Sequence, residues 1–311
     1  MDALLASLRA AGEPTRLRLL ALAAHGELSV SEFTRILGQS QPRVSRHLKL
    51  LVDAGLLERF REGAMVFYRI ADQGEPAVFA RTLVDLLPDS DSELNRDLQR
   101  LEQTRQKRRE VAETYFNQNA AQWNHMRQMH VPEADVENTL IKVIGKDPVG
   151  SYVDIGTGTG RILALLSEQV EQGIGIDQSP EMLSVARAYL EQENLKNVHV
   201  RKGDMYNMPF DDDSVDLATV HLVLHYSHDP ASVIVEAARV LKPEGRLVIV
   251  DFAPHQEEHL REEHNHMRLG FSDKEIKQVM KSAGFAPGKT QVLEGNPLTV
   301  NVWHGTRRAV H

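Results

Sequence analysis

Three aspartates sit where chemistry is easiest to imagine, each at the end of an apolar, strand-like run. Asp154-Ile155 leads into Gly156-Thr157-Gly158-Thr159-Gly160, with a glycine at every second position. Glycines there permit a tight turn and let a ligand come close to the main chain. Asp177 ends the run Gly173-Ile174-Gly175-Ile176, 17 residues beyond Gly160. A carboxylate at that point can accept from both hydroxyls of a ribose. Asp204 follows Val198–Lys202 and Gly203, and can accept from an adenine amino group. Met205 and Met182 are soft enough to flank a planar ring. Residue 161 is arginine, so the dinucleotide fingerprint G-x-G-x-x-G is not met. The spacing departs from that of a dinucleotide site.

A fourth strand, Val215–Val220, runs into His221-Leu222-Val223-Leu224-His225-Tyr226. His221 is placed to lie above such a ligand. His225 or Tyr226 is placed to act as a base or to orient a second reactant. Packing or capping of the next helix would use the same residues.

The elements that must position these groups alternate strand and helix from residue 148 to 305, the order of a doubly wound α/β domain. Three motifs add detail: Asp177-Gln178-Ser179-Pro180-Glu181-Met182-Leu183, Asn207-Met208-Pro209-Phe210-Asp211-Asp212-Asp213-Ser214-Val215-Asp216 and Arg239-Val240-Leu241-Lys242-Pro243-Glu244-Gly245-Arg246-Leu247. Over residues 110–253 the chain resembles the class I methyltransferases, particularly the ubiquinone/menaquinone-biosynthesis-like group. The resemblance implies a Rossmann-like domain with a mainly parallel seven-stranded sheet. It also implies S-adenosyl-L-methionine or S-adenosyl-L-homocysteine as cofactor. Asp154 would stand beside the methionyl end, Asp177 with Gln178 at the ribose and Asp204 at the adenine. Gly156, Gly158, Gly160, Met182, Met205 and His221 would complete the cofactor site. Tyr115, Phe116 and Trp123 fall where that family lids the site; apolar packing explains them equally. No Asn/Asp-Pro-Pro-Tyr/Phe motif follows the fourth strand, which argues against methylation of DNA amino groups. The lack of cysteine argues against thiol-based methylation of arsenic.

A different pattern fills the first part of the chain. Ser31–Leu37 reads as a short helix stopped by Gly38, and Ser40 and Pro42 open another. Val44, Leu48 and Leu51 form its buried stripe. Gln41, Arg43, Ser45, Arg46, His47 and Lys49 take the other faces, where side chains reach base edges and phosphates in a major groove. Leu57–Phe60 and Val66–Ile70 make a hairpin turned by Gly63, with Arg59, Arg61 and Arg69 as phosphate contacts. Residues Glu13-Pro14-Thr15-Arg16-Leu17, Gly26–Glu32, Ser45–Leu51 and Ala54-Gly55-Leu56 resemble the ArsR/SmtB repressors. The resemblance implies a winged helix-turn-helix of α+β class, a homodimer and an inverted-repeat operator in double-stranded DNA. Metal-sensing members carry cysteines in the helix beginning at Val30. Here Ser29 and Ser31 stand there, and hydroxyls do not replace thiolates for soft metals.

The chain of 311 residues accommodates two domains. The expected division is 1–86 for DNA binding, 87–130 for a polar helical linker and lid, and 131–311 for the cofactor domain. Residues 1–86 hold 11 lysines and arginines against 10 acids, a net of +1. The remainder holds 25 against 34, a net of −9, so the DNA-reading part is the relatively basic one. No secretory signal or membrane-length apolar run is present, and the absence of cysteine fits the cytoplasm. His255 and His259 would share a helix face at metal-binding spacing, but the motif lacks the glutamate of H-E-x-x-H, and a metal site is not expected. The expected protein is a repressor whose second domain senses the cofactor or methylates a small molecule. The alternative is a working small-molecule methyltransferase whose helix-turn-helix serves dimerisation or autoregulation.

Overall fold

Glycine and proline punctuate the N-terminal third and set its helices. The computed structural model describes residues 1–62, 65–71, 74–128 and 131–309, with the side chains at 2–3, 112–113 and 115–128 outside that description. It divides into two units, Met1–Glu110 and Val111–His311.

The first unit runs α1 Asp2–Ala11, α2 Pro14–Ala23, β1 Leu28–Ser29, α3 Val30–Leu37, α4 Gln41–Asp53, β2 Leu57–Glu62, β3 Met65–Ile70, α5 Glu75–Asp85 and α6 Ser92–Gln128. A capping box starts α3. The Ser29 hydroxyl accepts from the Glu32 N–H, and the Ser29 N–H donates to the Glu32 carboxylate at 2.7 Å. Gly38 ends α3 at φ 65°, a left-handed conformation that costs glycine nothing. After this turn, α4 buries Val44, Leu48 and Leu51 in a core with Leu19, Leu20, Phe33 and Ile36. The wing pairs Phe60 with Phe67, whose rings stack at 5.7 Å, and β1 adds a third strand on β3.

The expected domain end at residue 86 falls short of the end of this unit. The opening turns of α6 pack onto the winged helix. Asp97 is 1% exposed and accepts from Arg18 Nε at 2.6 Å and Nη2 at 2.9 Å. Arg108 donates to both Glu32 oxygens at 2.9 and 2.8 Å and to the Glu27 carbonyl at 2.9 Å. Arg100 donates to the Ile36 carbonyl at 2.8 Å, and Leu101 joins the core. The linker reading missed this because ion pairs and carbonyl bonds, with one leucine, hold the helix down. Hydrophobic periodicity does not register such a face.

The second unit runs α7 Glu133–Ile144, β4 Val149–Ile155, α8 Arg161–Leu165, β5 Val170–Asp177, α9 Pro180–Gln192, β6 Val198–Lys202, β7 Val215–His221, a 3-10 turn Leu224–Tyr226, α10 Pro230–Val240, β8 Leu241–Phe252, α11 His259–Glu263, α12 Asp273–Ser282, β9 Phe285–Pro287, β10 Gln291–Leu293 and β11 Val300–Arg307. The sheet order is β10-β11-β8-β7-β4-β5-β6, with β9 on β11. The pairs among β8, β7, β4, β5 and β6 are parallel, and β11 joins antiparallel. The expected seven strands are the continuous path. The eighth, β9, is three residues long and pairs only at the end of β11. Apolar clusters cover both faces, one including Leu140, Leu163 and Leu183, the other Val233, Ile234 and Phe271. Strand order reverses at β4, between β5 and β7, so the crevice at the carboxyl ends of these strands is where a ligand fits. Among the described residues, no helix is long and apolar enough to cross a membrane.

Candidate cofactor cavity and DNA-reading face

A cavity of about 460 Å³ opens at that crevice. Asp154, Gly156, Gly158, Asp177, Met182 and His221 line it, and Tyr226 lies on it as well. The side chain of Gly158 would meet nothing within 4 Å, so this position, at φ +52°, leaves room for a ligand against the main chain. A Cβ on Gly156 would stand 2.5 Å from Val223, and one on Gly160 would stand 3.2 Å from Ala186 of α9. The three glycines therefore differ: Gly158 faces the cavity, Gly156 admits Val223, and Gly160 lets α9 approach the loop.

The acids also differ in what they hold. Asp177 Oδ2 accepts from the Gly158 N–H at 3.0 Å, and Oδ1 accepts from the Ser179 N–H at 2.8 Å. A carboxylate has about four lone-pair sites, so two remain for hydroxyls of a ligand. Asp154 is buried and accepts from the Thr157 hydroxyl at 2.7 Å and the Thr219 hydroxyl at 2.6 Å. Burial, partly offset by those hydroxyls, raises its pKa above the usual aspartate value. It braces the glycine loop against β7, a role its position at a strand end does not reveal. Asp204 is exposed and accepts from the Gln178 amide at 3.0 Å and the Tyr206 N–H at 3.0 Å. Gln178, Asp204 and Met205 are not among the residues lining the cavity.

His225 is 1% exposed and does not line the cavity. Its Nδ1 lies 2.8 Å from Asp251 Oδ1, and its N–H donates to Asp251 Oδ2 at 3.1 Å. Its Nε2 has no hydrogen-bond partner among the described residues. The ring packs against Tyr226 at 4.2 Å and His266 at 4.1 Å. Tyr226 is half exposed, and burial with Asp251 nearby raises its phenol above the ordinary value.

Lining residues that went unassigned in the sequence include Glu133 and Glu137 on α7, Thr157 in the loop, and Arg161 at the start of α8. Arg161 gives Nε to Glu137 Oε1 at 2.7 Å and Nη2 to Oε2 at 2.9 Å, with Nη1 3.3 Å from the Tyr189 hydroxyl. The Glu137 bonds, chiefly, hold its guanidinium above the ordinary arginine value. The i, i+4 spacing of Glu133 and Glu137 was the available signal, but an acid pair on a helix is more often a solvated face. The side chains of Tyr115, Phe116 and Trp123 lie outside the described residues.

The donor set fits the implied cofactor. The cavity is lined by four carboxylates and one guanidinium, with a glycine face open to a ligand. A sulfonium nucleoside bearing an amino acid needs acids and main-chain room and has no phosphate to be gripped by lysines. The histidine-rich segment takes a different form from the one expected. His255 lies in the loop before α11, and His259 is the first residue of that helix, so they do not share a helical face. Among the described residues, no group of three or more potential ligands could hold a metal ion.

On α4 of the first unit, Gln41, Arg43, Arg46 and Lys49 are exposed opposite the buried stripe. His47 is not part of that face. Its Nδ1 lies 3.5 Å from Glu13 Oε2, and Glu13 itself caps α2. Ser45 is half-buried. Arg59 and Arg61 are exposed on β2, and the turn at Gly63 lies outside the described residues. Arg69 is no phosphate contact: it is buried and donates to Glu58 at 3.0 Å, with Glu27 at 4.0 Å. At the position of the family's cysteines, the Ser29 and Ser31 hydroxyls are 2.9 Å apart. There Glu32 is bound by Ser29 and Arg108, and these bonds hold its carboxyl below the usual range despite burial.

Residues 146–290 match the methyltransferase domain model, and residues 13–59 match the model of the bacterial regulatory protein, arsR family. The chain is 31% identical over 155 residues to the uncharacterized methyltransferase YcgJ of Bacillus subtilis, covering 50% of this chain and 60% of that protein. It is 38% identical over 104 residues to the demethylmenaquinone methyltransferase of Lactococcus lactis, covering 32% of this chain and 41% of that protein. The chain thus spans less than two thirds of either relative. Geranyl diphosphate methyltransferase in complex with SAM superposes with a TM-score of 0.51 at 17% identity, over 56% of this chain and 85% of that one, which shows the fold. The chain thus carries, in order, a region matching the arsR-family regulatory model and a region matching a methyltransferase domain.

Proposed function

We propose that the chain is a DNA-binding transcriptional regulator, a repressor, whose methyltransferase domain reports the cofactor to the operator. The observation that carries this reading is the coexistence in one chain of two candidate sites. The face of Gln41, Arg43, Arg46 and Lys49 is exposed, and the cavity of Asp154, Gly158 and Asp177 has the chemistry of the cofactor. An enzyme that used its first domain for dimerisation alone would have no need of an arginine-rich α4 face. On this reading the protein acts as a homodimer on an inverted repeat in double-stranded DNA, through Gln41, Arg43, Ser45, Arg46 and Arg61. Selection of bound duplexes from a random pool tests it. An enriched inverted repeat, bound more weakly as salt rises, is expected. Enrichment of no sequence would contradict it.

A second reading, methylation of a small molecule, draws support from the His225–Asp251 pair. The cofactor supplies a methyl group on a sulfonium, and the protein's part is alignment and, for a weak nucleophile, proton removal. Asp251 beside Nδ1 favours the tautomer that leaves Nε2 as acceptor, the atom without a partner. Tyr226, which packs on this imidazole and lines the cavity, would orient the acceptor. His225→Gln would then lower kcat for the acceptor and leave S-adenosylhomocysteine affinity within twofold. Loss of that affinity instead would make His225 structural.

A further inference from the structure

Helix α6 meets α3 through a polar stripe at helical spacing. Arg100, Thr104 and Arg108 stand four residues apart, on one face of α6. Their partners on α3 descend as they ascend. Arg100 donates to the Ile36 carbonyl at 2.8 Å, the Thr104 hydroxyl accepts from Arg35 at 3.2 Å, and Arg108 donates to both Glu32 oxygens at 2.9 and 2.8 Å. Thr104 is buried, and Arg108 and Glu32 expose only 11% and 14% of their side-chain surface. Glu32 Oε2 also holds the cap of α3, accepting from the Ser29 N–H at 2.7 Å and from the Ser29 hydroxyl at 2.8 Å. One face of α6 thus grips both ends of α3. That helix packs Phe33 and Ile36 into the core with Val44 and Leu48 of α4, so it sets the seat of the candidate DNA-reading helix. Helix α6 runs on to Gln128, past the boundary between the units after Glu110, and Arg108 stands two residues before that boundary.

We propose that this stripe is the latch by which occupancy of the cofactor cavity changes the hold of α4 on DNA. The inference rests on the regulatory reading proposed above and names the residues that carry its coupling. Coupling between two sites asks for an element with two arrangements that both sites bias. Directional bonds supply them. A hydrogen bond weakens steeply once its angle departs from the ideal, so three of them on one rigid helix face are made together or lost together. Turning α6 by one residue rotates the stripe by about 100° and takes all three side chains off α3. An apolar seam would tolerate a smaller slide, since each of its many contacts is weak and non-directional. Releasing Arg108 leaves a largely buried carboxylate at the first turn of α3 without its cation, a costly state. The first turn must then shift to rehydrate Glu32, and α4, packed on the same helix, shifts with it.

A brace that merely fixes α6 to the winged helix would make the same bonds, so the test reads coupling rather than stability. Glu32→Gln is the informative variant. Glutamine also serves in a capping box, so the Ser29 N–H keeps its acceptor while the charge facing Arg108 is gone. The full chain is titrated with the duplex enriched from the random pool, alone and saturated with S-adenosylhomocysteine. In the wild type the two operator affinities should differ by about fivefold or more. In Glu32→Gln and in Arg108→Gln they should agree within about twofold, while the affinity for S-adenosylhomocysteine without DNA stays within about threefold of wild type. Arg109→Gln is the control. Its guanidinium pairs with Glu102 and Gln106 of α6 itself, so the wild-type difference should persist. A wild-type difference retained in both Glu32→Gln and Arg108→Gln would overturn the latch and leave the regulatory reading standing. A difference lost in Arg109→Gln as well, or a Glu32→Gln protein that no longer binds duplex, would make the stripe a brace and overturn the latch. Equal operator affinities in the wild type would overturn the regulatory reading, and the latch with it.

Discussion

His266 is buried in the second unit with both ring nitrogens unpartnered among the described residues. Burial, then the neighbouring His225, lowers its pKa to about 3, against a weaker opposing pull from Asp251; His255 and His264 add to the lowering. Its ring is held against His225 and stacked on Phe252. The unfolded chain takes up this proton near pH 6.5, while the folded chain does so only near pH 3. Unfolded molecules therefore bind more protons across that window, and stability falls as pH drops through it. Between pH 7 and pH 5 the effect of one such histidine is about 2 kcal/mol. His266→Phe fills the site without a titrating group. Urea unfolding at the two pH values should show a loss smaller than in wild type by that amount, and identical losses would show that His266 is not the group responsible. At this scale the sequence was only partly informative. Strand-end position and spacing, which are local features, singled out Asp154, Asp177, Gly156 and Gly158, all of which line the cavity. The sequence did not tell Asp154, tied to Thr157 and Thr219, from Asp177, which has lone pairs to spare. Nor did it show that His47 and Arg69 turn inward, since a cation's partner can lie anywhere in the chain.

At the level of elements, the winged helix was legible because caps, a glycine stop and an apolar stripe coincide over α3 and α4. Helix α6 was legible as a helix but not as part of the first unit. Its attachment depends on Arg18–Asp97, 79 residues apart, and on Arg108–Glu32, 76 residues apart. Asp97→Ala leaves the buried Arg18 with Glu93 alone, so the first unit should lose about 3 kcal/mol, the lower end for a broken buried pair. Chemical denaturation followed by a probe in that unit measures this. A loss under 1 kcal/mol would place the pair among weak surface bridges. The parallel pairing among β8, β7, β4, β5 and β6 agrees with the mainly parallel sheet that the resemblance implied, whereas their order had no local signal and β9 is too short to leave a pattern.

For the whole molecule, the sign of charge separates the two proposed tasks: the exposed face of α4 is basic, as a polyanion would require, and the charged lining of the cavity is mostly acidic, as a cationic nucleoside would require. Both proposals could be drawn from the sequence because each needs several residues at fixed offsets. Whether the two sites communicate depends on two states of the chain, which no local pattern records. Binding at two sites of one molecule is reciprocal: a ligand that shifts operator affinity has its own affinity shifted by the same factor. The most direct measurement is calorimetric titration of S-adenosylhomocysteine into the protein, alone and saturated with its selected operator, alongside operator binding with and without that ligand. A regulator that reports its cofactor predicts a change of at least fivefold in both affinities, equal in size. Tight binding of each ligand with neither affinity altered by the other would contradict it.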